Sequence, residues 1–491
     1  MTRVRRAVAR TPRALVALLF LATLLGVTWS LVTPAFQAPD EDSHFGYTQG
    51  LAESFELPGF AERPKYSTEQ SVAGNLSNSD QAAAELWVRM EWSNAAYERW
   101  RAQDLAFGHA EKSNGGGANP ASPNPPLYYL VEAGAYRIAQ SGDLFTRLQV
   151  ARLASVLWIP VTVLGVWLLT GELFRRDRLL QVVAAGTAGM LPMLQFASAA
   201  VSPDAMLYAV WSLALWLGVR LLRRGLTAWG SAAFLGVVGL ACVVKATSLA
   251  LLPGALLVMA IAVRRAAGDA PLQSRMTKVG AGLLALGVTL GPWVIIARVL
   301  DRPVSAQVAQ VTTGARATLS TREFLSYVWQ FYLPKLPFQT KFSTGAPHLA
   351  VYDAWLKTGW AAFGWLEVRF PEWVYVVLGL VTVGIALIAL RVLWRSRRTV
   401  DWASLLFLAV VVVSLLAGLH WTEYRMLDTG AGPFNVGRYL LPLVGIAGMA
   451  VALVVRTLRP VHRPTGAALV LSSLFALNLF SLALMLSRFY A

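Results

Sequence analysis

Eleven apolar runs, each near the length that crosses a bilayer, alternate along the chain with short polar gaps and three long polar segments. The first extends from Ala14 to Val32, and the others fall at about 148–171, 179–201, 204–222, 227–244, 248–263, 278–299, 372–394, 401–419, 438–456 and 466–487. A helix rises about 1.5 Å per residue, so roughly 20 apolar residues span the hydrocarbon core. The pattern predicts an all-α polytopic membrane protein with about eleven transmembrane helices. The segment "PPLYYLVEAGAYRIAQ" at 125–140 is apolar but short and carries Glu132 and Arg137. Its three tyrosines, Tyr128, Tyr129 and Tyr136, suit a helix lying at headgroup level rather than a twelfth crossing.

Basic clusters fix the expected orientation. "RRDR" at 175–178, Arg223 with Arg224, Arg264 with Arg265, "RSRR" at 395–398 and Arg459 with Arg463 all fall on one side when each run crosses once. By the positive-inside rule that side is cytoplasmic. The N-terminus, with Arg3, Arg5, Arg6, Arg10 and Arg13 before the first run, reads as an uncleaved first helix starting in the cytoplasm. The long polar segments, 33–147, about 300–371 and 420–437, then lie outside, and the protein is expected in the cell membrane. Residues 1–299 read as a transmembrane module carrying outer loop 33–147, 300–371 as a second outer loop, and 372–491 as C-terminal transmembrane helices. Within the first loop, 81–104 reads as an exposed helix and "NGGGANPASPNPP" at 114–126 as a flexible hinge.

Composition agrees with a bilayer home: of 491 residues 56% are hydrophobic and 14% charged, against about a quarter charged in soluble domains. The net charge of +16 does not indicate a nucleic-acid partner, because the arginines sit in clusters between spans rather than along one groove. The single cysteine, Cys242, lies in an apolar run and allows no internal disulfide. The first loop runs against the trend, with thirteen acids and six bases between 33 and 122.

Most of those acids are explained by solvation, but "TPAFQAPDEDSHFGY" at 33–47 places three adjacent carboxylates, Asp40, Glu41 and Asp42, and His44 within about one helical turn of the outer membrane surface. Acids favour a helix N-terminus, which accounts for one or two of them. Capping does not require Glu41 and His44 at i, i+3, where they share a face and could bind a metal or a substrate hydroxyl. On the same side lie Asp204 in the turn "SPDAMLY", Lys245 in "VVKAT", and Arg438 followed by Tyr439 in "NVGRYLLPL". Each has an ordinary explanation: Asp204 as a helix N-cap, Lys245 as a snorkelling side chain, Arg438 as a structural ion pair. Each also suits an anion, the planar guanidinium of Arg438 above all. Arg147, Arg152, Lys341 and Lys357 add positive charge to that side. No GxxxxGK, HExxH or Cys/His zinc pattern occurs.

The "APDEDSHFGY" motif after the first span, the "PPLYYL" segment, and "RLASVLWIPVTVLGVWLLTGELF" ending in "RR" together resemble the GT-C superfamily of polyprenyl-phosphate-sugar-dependent glycosyltransferases. Protein O-mannosyltransferases and aminoarabinose transferases belong to it. "SPDAMLY", "KAT", "FGWLEVRFP" at 363–371 and "VGRYLLPL" look like a bacterial multi-pass family of that type, so the resemblance extends over nearly the whole chain. It implies transfer of a sugar from a polyprenyl-phosphate donor to a glycan, lipid or protein acceptor in the cell envelope. It also implies Asp40 or Asp42 as general base, Glu41 positioning a substrate and His44 supporting the base. Arg438 and Lys245 would hold the donor phosphate, and Asp42, Asp204, Tyr439 and Arg152 are further candidates for substrate binding. A divalent metal is a candidate cofactor, with no ligand set specified. Two other functions fit the same spans, a flippase for lipid-linked sugars and a non-catalytic envelope-assembly protein. A transporter would be expected to show paired halves and ionisable groups at the bilayer midplane, and neither is evident.

Overall fold

The computed structural model describes residues 12–76, 88, 93–106, 109–268, 271–302, 304, 320–342, 348–428 and 433–491. All eleven apolar runs are helical. Nine helices among the described residues are long and apolar enough to cross a membrane, or ten if Arg178–Gly189 and Pro192–Ser198, bent by 56° at their junction, form one broken span. The helix Ala228–Cys242 is shorter than a full span, so the expected eleven full-length crossings become nine or ten and this short one. Its 15 residues give about 22 Å of helix. The run at 148–171 begins earlier than its apolar composition suggests, at Leu144, because Asp143 caps the helix by accepting from the Thr146 amide.

The 125–140 segment forms the helix Leu127–Ile138. In the first loop the described helices are Glu41–Glu53, Thr68–Leu76 and Asn94–Ala106. Much of the exposed helix expected at 81–104 lies outside the described residues. The expected hinge at 114–126 is instead packed in place. The Gly117 amide donates to the Pro64 carbonyl at 2.8 Å, and a Cβ on Gly117 would lie 2.4 Å from the Arg63 carbonyl oxygen. These glycines permit close backbone approach rather than motion.

The helix ends separate onto two faces. At one, Glu172, Arg220, Arg223, Arg224, Arg265 and Asp401 are interlinked. At the other, Asp40 meets Arg438 and Asp204 meets Lys245. The helix Asp204–Arg224 connects the two faces, about 30 Å apart along its axis, and with 78% of its apolar window buried it is the central pillar of the bundle. By contrast, Leu272–Val299 and Glu372–Arg395 have 11% of theirs buried. Their outward leucines, valines and isoleucines form the surface that hydrocarbon would cover.

The buried asparagine of the last helix is fully paired, as a medium without water demands. Asn478 donates to the Met190 carbonyl at 2.6 Å and accepts from Trp29 Nε1 at 3.1 Å, tying three helices together. Trp29 also packs against Phe196 and Phe363. Phe363 opens the "FGWLEVRFP" segment, a tight turn with Gly364 at φ 60° and Leu366 at φ 74°. The Trp365 indole donates to the Phe36 carbonyl at 3.1 Å, docking that turn under the end of the first span.

Candidate functional site

The chain leaves the first span at Val32, turns through 33–40, and starts the helix Glu41–Glu53. Arg152 holds this turn. Its Nη1 donates to the Ser30 and Thr33 carbonyls, Nη2 to the Pro34 carbonyl and Glu41 Oε2, and Nε to Glu41 Oε1. All five guanidinium donors are thus engaged. Glu41 is fully buried and also accepts from the Phe36 amide at 3.0 Å and the Val201 amide at 3.1 Å. The pair therefore closes the open carbonyls at the end of the first span and draws in the turn that leads to Asp204.

This arrangement separates the residues read from sequence into two groups. Glu41 and Arg152 have no capacity left for a substrate. Glu41 and His44 do not converge on a common ligand, since His44 Nδ1 pairs with Tyr129 Oη at 2.8 Å. Among the described residues no group of three or more His, Cys, Asp or Glu side chains is placed to hold a metal ion. Asp42 turns away, accepting from the Ser43 amide and the Tyr66 hydroxyl. Lys357 is taken up by Asp353 and Glu372, and Arg147 by Glu69 and Tyr136.

Asp40, His44, Asp204, Lys245, Arg438 and Tyr439 do come together. Asp40 precedes its helix at φ 63° and makes no side-chain cap, a left-handed conformation that aspartate tolerates better than most residues. Its carboxylate instead accepts from Arg438 Nη2 at 2.8 Å. Lys245 Nζ donates to Asp204 Oδ1 at 2.6 Å and lies 5.5 Å from the centre of the Tyr439 ring, which also faces Arg438 at 5.4 Å. Arg438 owes its position to Gly437, where a Cβ would lie 2.3 Å from both the Gly359 nitrogen and the Trp355 carbonyl oxygen. Tyr208 Oη donates to the Arg438 carbonyl at 3.3 Å.

Two acids face two cations here, so the cluster is close to neutral without a ligand. Asp40 keeps 36% side-chain exposure, against 13% for Arg438, 11% for Lys245 and 4% for Asp204. Burial would push the Asp40 carboxyl up, but the Arg438 guanidinium, helped by Lys245, outweighs it and holds the carboxyl below its ordinary value. Burial pushes the His44 imidazole down to about 4, with Asp40 partly opposing, so the ring is neutral at pH 7. Arg438 differs from Arg152 in one decisive respect: its buried Nε has no hydrogen-bond partner among the described residues.

Sequence reading missed the support around His44. Tyr129 Oη accepts from Asn124 Nδ2 at 3.0 Å, and the Tyr129 ring stacks on Tyr47 at 3.8 Å. It also missed Gln37, 1% exposed, whose amide atoms are both unpartnered among the described residues. "PPLYYL" signalled an interfacial helix, but nothing in the sequence directed Tyr129 toward His44.

The described helices build a multi-pass membrane protein whose fold is similar to that of a solved oligosaccharyltransferase. The chain matches the family described as predicted membrane protein (DUF2142) over residues 21–447 and belongs to it. No curated protein matches the sequence. Among solved structures, the archaeal oligosaccharyltransferase AglB from Archaeoglobus fulgidus, in complex with an inhibitory peptide and a dolichol-phosphate, is similar with a TM-score of 0.50 at 11% identity, covering 97% of this chain and 56% of that one. ArnT from Cupriavidus metallidurans, bound to undecaprenyl phosphate, is similar with a TM-score of 0.46 at 15% identity, covering 92% of this chain and 62% of that one. The chain thus spans between half and two thirds of the length of these proteins.

The two groups of residues should separate in stability measurements. Glu41→Gln or Arg152→Met leaves a buried charge without its partner, at a cost of about 3–5 kcal/mol, and should markedly lower the unfolding temperature in detergent. Asp40→Asn, at a carboxylate that keeps 36% side-chain exposure and where the amide oxygen can still accept from Arg438, should lower it much less. Equal losses from all three variants would remove the distinction.

Proposed function

We propose that the protein is a membrane glycosyltransferase that moves a sugar from a polyprenyl-phosphate carrier to a cell-envelope acceptor on the outer face, with Asp40 as general base. The observation that carries this reading is the pairing of Asp40 with Arg438, a guanidinium with a buried donor left over. The GT-C fold and the polyprenyl-type phosphates named with ArnT and AglB support the class of donor.

In this scheme the donor phosphate takes Arg438 and Lys245 as its partners, the former bidentate through Nε and an Nη. Asp40 is thereby released from Arg438 as the donor settles. The acceptor hydroxyl oxygen attacks the anomeric carbon, the bond from that carbon to the phosphate oxygen breaks, and the electron pair leaves with the phosphate. The acceptor proton passes to Asp40. A carboxylate is a weak base at neutral pH, but it takes the proton as the attacking oxygen gains positive character. The two cations stabilise the charge that develops on the departing phosphate. Neutral His44, fixed by Tyr129, lines the acceptor side and contributes hydrogen bonding. Asp204 holds Lys245 in place.

The test is transfer of radiolabelled sugar from a panel of polyprenyl-phosphate sugars by purified protein in nanodiscs. Wild type should transfer sugar to acceptor or hydrolyse the donor. Asp40→Asn should lose at least a hundredfold in turnover, the lower end expected for removing a general base, roughly 10²–10⁴, while still binding donor. Donor binding without turnover in wild type, coupled to its movement across the bilayer, would replace this reading with a lipid-linked sugar flippase.

The pH dependence carries a sign. Because Arg438 holds the Asp40 carboxyl below its usual range, kcat/KM of wild type should stay level through neutral pH and fall only on the acid side of the ordinary aspartate range. In Arg438→Gln, burial is no longer outweighed to the same degree, so the acidic limb should move to higher pH. A limb that stays in place would detach Asp40 from the kinetics.

A further inference from the structure

At the opposite face from Asp40 the bundle has a half-open cavity of about 200 Å³ between the end of the helix Trp158–Leu173, the turn 174–178 and the last turns of Asp204–Arg224. Arg176, Arg178, Arg220 and Arg224 line it, with Glu172 as the one carboxylate. Glu172 accepts from Arg224 Nη2 at 2.7 Å and Arg220 Nη1 at 3.2 Å, so a single negative charge serves that wall. Arg178 donates to the Gln181 side chain at 3.1 Å, and neither Arg176 nor Arg178 has a carboxylate partner among the described residues. Two tryptophans complete the walls, Trp167 with the Arg178 guanidinium 5.7 Å from its ring centre and Trp216 with Arg220 at 5.6 Å.

A positive-inside bias requires basic residues on this face but not a chamber built from them. The cluster at 395–398 makes the contrast. There Arg397 lies over the Trp394 ring at 4.7 Å; it is exposed, as Arg176, Arg178 and Arg224 are, but it does not line the cavity and, among the described residues, no other guanidinium is gathered with it around a pocket. Around the chamber, three positive charges in excess face a space too small for a whole lipid and large enough for a phosphate group, beside two tryptophans, a residue type enriched at membrane interfaces.

We infer that this chamber is a second binding site, for a phosphate group, carried either on an anionic lipid headgroup or on a small soluble molecule. It is independent of the donor site, because the central helix separates the two by about 30 Å. Occupation would supply the anionic oxygens that Arg176 and Arg178 lack and would join the turn 174–178 to the end of the central helix.

The first test is Arg176→Gln with Arg178→Gln, which leaves the Glu172 contacts intact, assayed for phosphatidylglycerol binding by native mass spectrometry from phosphatidylcholine nanodiscs. At about 1 kcal/mol per basic residue near a headgroup, the double variant should bind roughly 30-fold more weakly. Arg397→Gln with Arg398→Gln should bind like wild type. Inorganic phosphate that competes with phosphatidylglycerol at this site in wild type alone would support the chamber with a soluble source. Equal lipid binding by both double variants would overturn it. A second measurement needs no variant: phosphatidylglycerol or inorganic phosphate should shield Arg176 and Arg178 of wild type from phenylglyoxal while leaving Arg397 reactive. Modification of all three at unchanged rates would likewise overturn it.

Discussion

The fork of Arg152 on Glu41 is the interaction on which the site depends. A carboxylate removed from water at the end of a membrane helix is costly unless every lone pair is met. Here two guanidinium nitrogens and two backbone amides meet them. The remaining arginine donors close the carbonyls that the first span leaves open at its end. This one pair sets the direction in which the chain leaves the bilayer, turns Asp40 away from its own helix, and hooks the Val201 turn so that Asp204 arrives beside it. The acids at 40 and 204 are brought together by a third acid whose own oxygens are fully occupied.

The electrostatics follow from that frame. With two carboxylates against an ammonium and a guanidinium, the empty cluster is nearly self-compensated, which makes its burial tolerable. On the proposed function, phosphate entry would be an exchange of anions, in which a new acceptor takes cations already present and frees Asp40, the more exposed of the two carboxylates. Donor binding and activation of the base would be a single event, limiting idle proton transfer in the absence of a sugar to receive the acceptor.

The sequence made the helical runs legible because lipid imposes a length and a composition that soluble folds do not. The short helix Ala228–Cys242 and the break between Gly189 and Pro192 were hidden, since apolar composition runs unbroken across both. Segregation of arginines between runs agreed with the two faces seen in the bundle. The site was legible as an inventory and not as a division of roles. Arg152 and Arg438 look alike in sequence, yet one has all five donors engaged and the other has a buried nitrogen to spare. Glu41 and Asp40 are adjacent, yet one is fully buried and saturated while the other keeps 36% side-chain exposure. Those differences are made by carbonyls and amides distant in the chain, which no local motif records. The glycines at 115–117 misled for a related reason: absence of a side chain permits contact as readily as movement.

The most direct measurement is a cryo-electron microscopy structure of the protein in nanodiscs containing a polyprenyl phosphate. The account requires the phosphate within hydrogen-bonding distance of Arg438 and Lys245, with Asp40 parted from Arg438 and the Glu41–Arg152 fork unchanged. A phosphate seated elsewhere, with the Asp40–Arg438 pair intact beside an occupied lipid, would contradict it.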